Sequence, residues 1–180
     1  MDSYLRLSEG VFVSAVPIAV VGQAEIEFVK AEAARTTKRR ARLCLHRSDT
    51  AGVHEMVIAL SRSTYVRPHR HAPGKSESYH VLEGEGDVLA FADDGTLVRA
   101  YALGGASGHV LCRFDETRYH TLLIRSEVLV IHETTNGPFA PGSSEPAAFA
   151  PDEQDAAAVS YLAELRVRAA GLHADSGGAR

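Results

Sequence analysis

His69 and His71 stand two residues apart, and five residues separate His71 from Glu77. On an extended strand, residues two apart point to the same face, so both imidazoles share a side. Pro73 and Gly74 lie between the histidines and Glu77 and supply turn chemistry. The spacing therefore predicts a strand carrying two inward imidazoles, a turn, and a returning strand carrying an inward carboxylate. Two imidazoles and one carboxylate on adjacent strands can converge on a divalent transition metal. A further imidazole, His120, precedes the apolar run Thr121–Ile124. His80 has the opposite strand parity to Glu77 and is expected outside. Tyr79 shares the parity of Glu77 and faces the same pocket, either as a working group or as core packing with its hydroxyl satisfied.

The pattern His-x-His, five residues, Glu, six residues, Gly, with a late His before a strand, resembles the two motifs of the cupin superfamily. Ser63 stands where cupins often have Gly, and Asp115 and Thr117 stand where Pro and Gly are usual. Four segments are similar to the WbuC-type cupin metalloproteins: residues 40–46, 65–71, 75–84 and 130–139. The likeness covers roughly residues 22–152. It implies a mainly β fold, a cupin-type (jelly-roll) β-barrel with an N-terminal helix and a C-terminal helix. It also implies one divalent transition metal (Fe, Ni, Zn or Mn) held by His69, His71, Glu77 and His120, and a link to surface-polysaccharide biosynthesis.

Around these ligands, Lys75 and Ser76 occupy the turn before Glu77, and Arg118 lies two residues before His120. Tyr79 and Lys75 are the expected catalytic groups. Arg118, Lys75, Ser76 and Glu133 are the expected substrate contacts, with solvent exposure the plain alternative for Lys75 and Ser76. The basic residues Arg40, Arg42, Arg67 and Arg70 add to a positive neighbourhood. The expected ligand is a small polar or anionic sugar or carboxylate. The expected chemistry is Lewis-acid catalysis of isomerisation or group transfer by a mononuclear metalloenzyme. An Fe(II)-dependent dioxygenase and a non-catalytic, metal-dependent binding protein are the alternatives, because fold alone does not settle chemistry.

The chain must position these groups with 180 residues, 45% of them hydrophobic, enough for one core. A net charge of −4 gives no general pull toward nucleic acid. Two cysteines, Cys44 and Cys112, are too few for a secreted disulfide scaffold and read as reduced, buried thiols. The apolar stretch Val11–Val21 lacks a positive preceding region, contains Pro17, and is too short to span a membrane. It reads as two short buried strands, with residues 1–10 peripheral, and a cytoplasmic location is the expectation. Helical spacing of Ile26, Val29 and Ala33 predicts a helix over 23–34. Strands are expected over 41–46, 54–60, 87–91, 97–102, 110–114, 121–124 and 127–133, with a hairpin turn at Asp93-Asp94-Gly95. The basic run at 38–42 reads as a solvated strand edge or an anion-binding rim. A second helix is expected over about 152–171, with Val159, Leu162 and Leu165 on its apolar stripe and a disordered tail over 174–180. The expected organisation is an extension over 1–39, the barrel over 40–139, and an arm, helix and tail over 140–180. Surplus apolar elements at both ends lead to the expectation of a homodimer.

Overall fold

The computed structural model describes residues 3–115, 117–140 and 142–176. The chain is mainly β, with two helices. Its strands are β1 (Tyr4–Ser8), β2 (Val11–Ser14), β3 (Arg40–Cys44), β4 (Val53–Ser61), β5 (His69–His71), β6 (Glu77–Glu83), β7 (Glu85–Phe91), β8 (Leu97–Gly104), β9 (Leu111–Phe114), β10 (Tyr119–Ile124), β11 (Val128–Asn136) and β12 (Ser144–Pro146). Helix α1 is Gln23–Arg35 and α2 is Ala157–Ser176. One sheet has the order β1-β2-β3-β4-β11-β6-β9, the other β12-β5-β10-β7-β8. The two sheets face each other across a core and are not joined into one closed ring.

Strand alternation divides the apolar residues into three layers. Met56, Ile58, Leu60, Leu129 and Ile131 from the larger sheet meet Val88, Leu122 and Ile124 from the smaller one. On the outer face of the larger sheet, Leu43, Val57, Ala59 and Val130 pack against Val29 and Ala33 of α1. On the outer face of the smaller sheet, Leu89, Phe91, Tyr119 and Leu123 pack against Leu165 and Ala169 of α2. Strands β4, β7 and β10 thus bury both faces, which is why their sequences read as nearly continuous apolar runs. Gly84 joins β6 to β7 at φ +84°, and a Cβ there would collide with the Val128 carbonyl.

Helix α1 begins where its spacing predicts, and Glu25 accepts from the Gly22 N–H at 2.9 Å to close the first turn. Other expectations are corrected. Tyr4–Ser8 is a strand paired with β2, whereas residues 15–21 form none, and Ile18 and Val20 are exposed. The basic run is not an edge: β3 pairs with β2 on one side and β4 on the other. The Arg40 guanidinium instead makes two 2.9 Å bonds to the Glu153 carboxylate. Helix α2 starts five residues later than expected, with Asp155 Oδ1 accepting from the Ala157 N–H at 2.8 Å. Val159 lies on its solvent side, and Arg166 reaches the Ile124 carbonyl at 2.8 Å. The expected tail over 174–180 is helical as far as Ser176, and its last four residues, 177–180, lie outside the described residues.

Candidate metal centre

The two sheets bring the site together from opposite sides. His69 and His71 come from β5 and His120 from β10, where His120 sits directly across from His69 in the strand register. Glu77 opens β6 in the facing sheet. One nitrogen from each imidazole and one oxygen of Glu77 all lie within 4.8 Å of one another. The ring centroids are 4.9–5.3 Å apart. Glu77 and His120 are buried, and His69 and His71 partly so. Among the described residues this is the one such group of three or more ligand-type side chains.

Hydrogen bonds settle which nitrogen faces the centre. His69 Nδ1 donates to the Arg67 carbonyl at 3.1 Å, and His120 Nδ1 donates to the Arg118 carbonyl at 3.0 Å. A neutral imidazole with its proton on Nδ1 presents a lone pair at Nε2. The His120 Nε2 stands 3.2 Å from Glu77 Oε2, and His71 Nε2 stands 3.3 Å from the same oxygen. A lone pair facing a carboxylate is repulsive unless a cation lies between them or the ring is protonated. Ligand atoms about 2.1 Å from a shared cation stand roughly 3.0–3.4 Å apart, and the observed separations match. Three imidazoles with one carboxylate suit Fe, Ni, Zn or Mn. The residues present therefore fit the metal that the sequence motif implies.

The surrounding charge reinforces this. Burial, then the neighbouring His120, pushes His69 down to about 4, so its imidazole is neutral at ordinary pH. Burial alone would raise Glu77, but His120 and His71 outweigh it and hold the carboxyl well below its usual range. The Tyr79 hydroxyl donates to Glu77 Oε2 at 2.8 Å and orients it. Burial, then Glu77, pushes Tyr79 well above its usual range, keeping it a hydroxyl.

Glu133 enters through register. It pairs across from Tyr79, two strand positions from Glu77, and faces inward with Leu129 and Ile131. Burial and the Glu77 carboxylate beside it push Glu133 well above the usual carboxyl range. Lys75 and Ser76 lie at the rim. Lys75 Nζ donates to the Asn136 carbonyl, and the Ser76 N–H donates to Asn136 Oδ1 at 2.8 Å. Arg118 is exposed on the segment entering β10 and contributes its carbonyl to His120. Of the other arginines, Arg67 bonds the Ala147 carbonyl and Asp152. Arg70 bonds Glu145 and stacks over Tyr119 on the outer face. Arg42 has the inward parity of Cys44, and its charge, with that of Lys75, bears on Glu133.

Two site residues escape sequence reasoning. Phe114 stacks on His120 at 4.8 Å between centroids and meets Tyr79 edge-on, walling one side of the centre. Its only sequence signal is its place at the end of a short apolar strand. Asn136 clamps the turn before Glu77, its side chain also donating to the Gly74 carbonyl at 3.0 Å. An Asn next to Gly-Pro is a loop signal, and nothing local says which loop it clamps.

Residues 21–103 match the model of a domain of unknown function, DUF6016. No curated protein matches. Among solved structures, CapF, determined with the inhibitor 3-isopropenyl-tropolone, is similar at a TM-score of 0.51 and 15% identity. The likeness covers 61% of this chain but only 32% of CapF. A protein from Shewanella oneidensis is similar at a TM-score of 0.49 and 13% identity, over 58% of this chain and 72% of that one. Oxalate oxidase in complex with the substrate analogue glycolate is similar at 0.45 and 16% identity, over 58% of this chain and 54% of that one. The fold is of the cupin type, as the His-x-His and Glu spacing anticipates.

Proposed function

We propose that this chain is a mononuclear metalloenzyme acting on a small polar or anionic substrate, of sugar or carboxylate type, with His69, His71, Glu77 and His120 as the metal ligands. One observation carries the reading: three imidazole nitrogens and one carboxylate oxygen converge within 4.8 Å, with two of the imidazoles fixed at Nδ1 by backbone carbonyls. When bound, the metal supplies Lewis acidity toward an oxygen donor. The chain's own groups do the rest. Tyr79 holds Glu77 in its orientation, and its hydroxyl stays protonated beside the reacting centre. Glu133, its carboxyl pushed above the usual range beside Glu77, is the group placed to carry a proton toward a bound substrate. Phe114 keeps water from the His120 side. Lys75, Ser76 and Arg118 take the substrate's polar end at the rim, and Arg42 adds positive charge from the interior. The burial of Glu77 and His120, with His69 and His71 only partly open, favours a substrate of few atoms.

The likeness of residues 40–46, 65–71, 75–84 and 130–139 to WbuC-type proteins extends this reading to surface-polysaccharide biosynthesis in the cytoplasm. No helix among the described residues is long and apolar enough to cross a membrane. A homodimer completes the proposal, with a second copy covering the exposed Leu5 and Leu7 of the edge strand β1. Light scattering at micromolar concentration tests it, a monomeric mass being the contrary result.

The substrate reading is tested by melting metal-loaded protein with a panel of anionic sugars and carboxylates. Binders raise the melting temperature through preferential affinity for the folded state. The rise should shrink on metal removal and in Lys75→Ala or Arg118→Ala. Stabilisation by neutral or apolar compounds alone, indifferent to metal, would overturn it.

A further inference from the structure

A second cleft lies at the other end of the sandwich, between the end of α1, the β4–β5 loop, the start of β11 and α2. Its volume is about 580 Å3, a size suited to a small metabolite. Val128 lines it, whereas Thr135, seven residues along the same strand, sits across from Glu77. At about 3.4 Å per residue the two regions are roughly 24 Å apart.

Three guanidiniums, those of Arg39, Arg62 and Arg166, line this cleft with a single carboxylate, Glu127. Among the described residues, none of the three has a carboxylate within ion-pair distance. Each is tethered by part of its guanidinium to a backbone carbonyl. Arg39 Nη1 donates to Ala34 at 2.7 Å, Arg62 Nη1 to Arg125, and Arg166 Nη1 and Nη2 to Ile124 and Arg62 at 2.8 and 2.5 Å. Five N–H groups per guanidinium leave further donors on every one. The charges crowd one another: burial, then Arg62, lowers Arg166 from its usual range.

Arg39 is also the one non-glycine residue among those described with positive φ, at +54°. Glycine takes that conformation without steric cost, and a branched or long side chain does not. The backbone there is locked, because the Arg39 carbonyl accepts from the Ser61 N–H at 3.0 Å and from Thr64 Oγ1 at 2.6 Å. A long cationic side chain at a position suited to glycine is an observed strain that points to use of the side chain.

We infer that this cleft binds a phosphomonoester with a short apolar substituent, at a site separate from the histidine centre. The three arginines less Glu127 give a net charge of about +2, complementary to a phosphomonoester dianion. Guanidiniums match phosphate oxygens by charge and by their forked geometry. The apolar wall formed by Val128, Leu162 and Ala163 receives the substituent.

Isothermal titration of the full chain with hexyl phosphate, set beside hexanoate and inorganic phosphate, tests this inference. Hexyl phosphate should bind saturably and more tightly than either comparator, with affinity falling as salt rises. Metal-stripped protein and His71→Ala should bind it as well as metal-loaded wild type. Arg39→Gly should weaken binding at least tenfold while leaving the melting temperature without ligand unchanged or raised, since glycine relieves the backbone. Arg62→Ala, at an exposed position, should show the same loss and decides the matter if Arg39→Gly does not fold. Absence of saturable binding, equal affinity for hexanoate, or unchanged affinity in both arginine variants would overturn the assignment. Binding lost with the metal or in His71→Ala would return the anion to the histidine centre.

Discussion

Histidine and glutamate meet on both faces of the larger sheet, around Glu77 of β6 on the inner face and around His80 and His132 of β6 and β11 on the outer face, and only the inner group converges as a candidate metal centre. On the inner face, Glu77 meets His69, His71 and His120, with Glu133 and Tyr79 behind it. On the outer face, His80 stands directly across from His132 in the register, and His132 Nε2 lies 3.6 Å from a Glu55 oxygen. By residue type the two groups are alike. They differ in burial and in orientation. His80 and Glu55 are exposed, His132 is partly so, and among the described residues neither outer imidazole is bonded to a carbonyl that would aim its free nitrogen. The inner imidazoles of His69 and His120 are aimed by the Arg67 and Arg118 carbonyls. Side-chain parity, desolvation and the hydrogen bond on the far nitrogen make a ligand set; composition does not.

Substitutions separate the two faces, and the largest effect is expected at the shared carboxylate. Glu77→Ala should reduce metal affinity by more than about 100-fold, because it removes both a ligand and the charge that the imidazoles surround. Glu55→Ala should leave affinity unchanged. Competition against a chelator of known affinity reads both. Tyr79→Phe comes next. It removes only the bond that orients Glu77, and a loss of about 10–100-fold is expected. An unchanged affinity would show that Glu77 needs no such support.

Acid provides a third separation. His69 is lowered from 6.5 to about 4 in the folded chain, so the unfolded chain binds more protons between those values. Stability therefore rises with pH through that window, and is lost as pH falls from about 6.5 toward 4. Glu77, lowered as well, acts in the same direction over a more acidic range. The melting temperature of metal-free protein should fall across this window, and His69→Gln should flatten the fall. Glu133, raised by burial and by Glu77, acts in the opposite direction, so the comparison carries the test: the same profile in wild type and His69→Gln would contradict the burial of a neutral His69. The smallest effect belongs to the outer face. His132→Ala and His80→Ala should each shift stability by less than about 0.5 kcal/mol, as expected for exposed groups and weak surface pairs. A larger loss by chemical denaturation would mean that the outer pair has a structural role.

Much of the centre is legible in the sequence because strand parity is local. The two-residue spacing of His69 and His71 and the opposite parities of Glu77 and His80 need no tertiary information, and Gln23 as the start of α1 follows from spacing alone. The remainder depends on partners distant in the chain. Arg40, Arg67 and Arg70 read as a cationic neighbourhood, yet Glu153, Asp152 and Glu145 claim them from 75 or more residues away. The carboxyl of Glu133 reaches Glu77 only through the β6–β11 register, which no local pattern specifies. At the N-terminus, Leu5 and Leu7 carry strand alternation, but both face solvent, so the hydrophobic pattern there marks an edge and not a core. Val11–Val21 shows the converse: apolar composition without a strand beyond Ser14, because Pro17 and the approach to α1 leave no neighbour for pairing.

The most direct test of the account is the metal content of tag-free protein by elemental analysis, in wild type, His71→Ala and His80→Ala, each also incubated with Fe, Ni, Zn or Mn and then desalted. The account predicts about one divalent ion per chain in wild type and His80→Ala and almost none in His71→Ala. Metal-free wild type that takes up none of the four ions, or equal loss in the two variants, would contradict it.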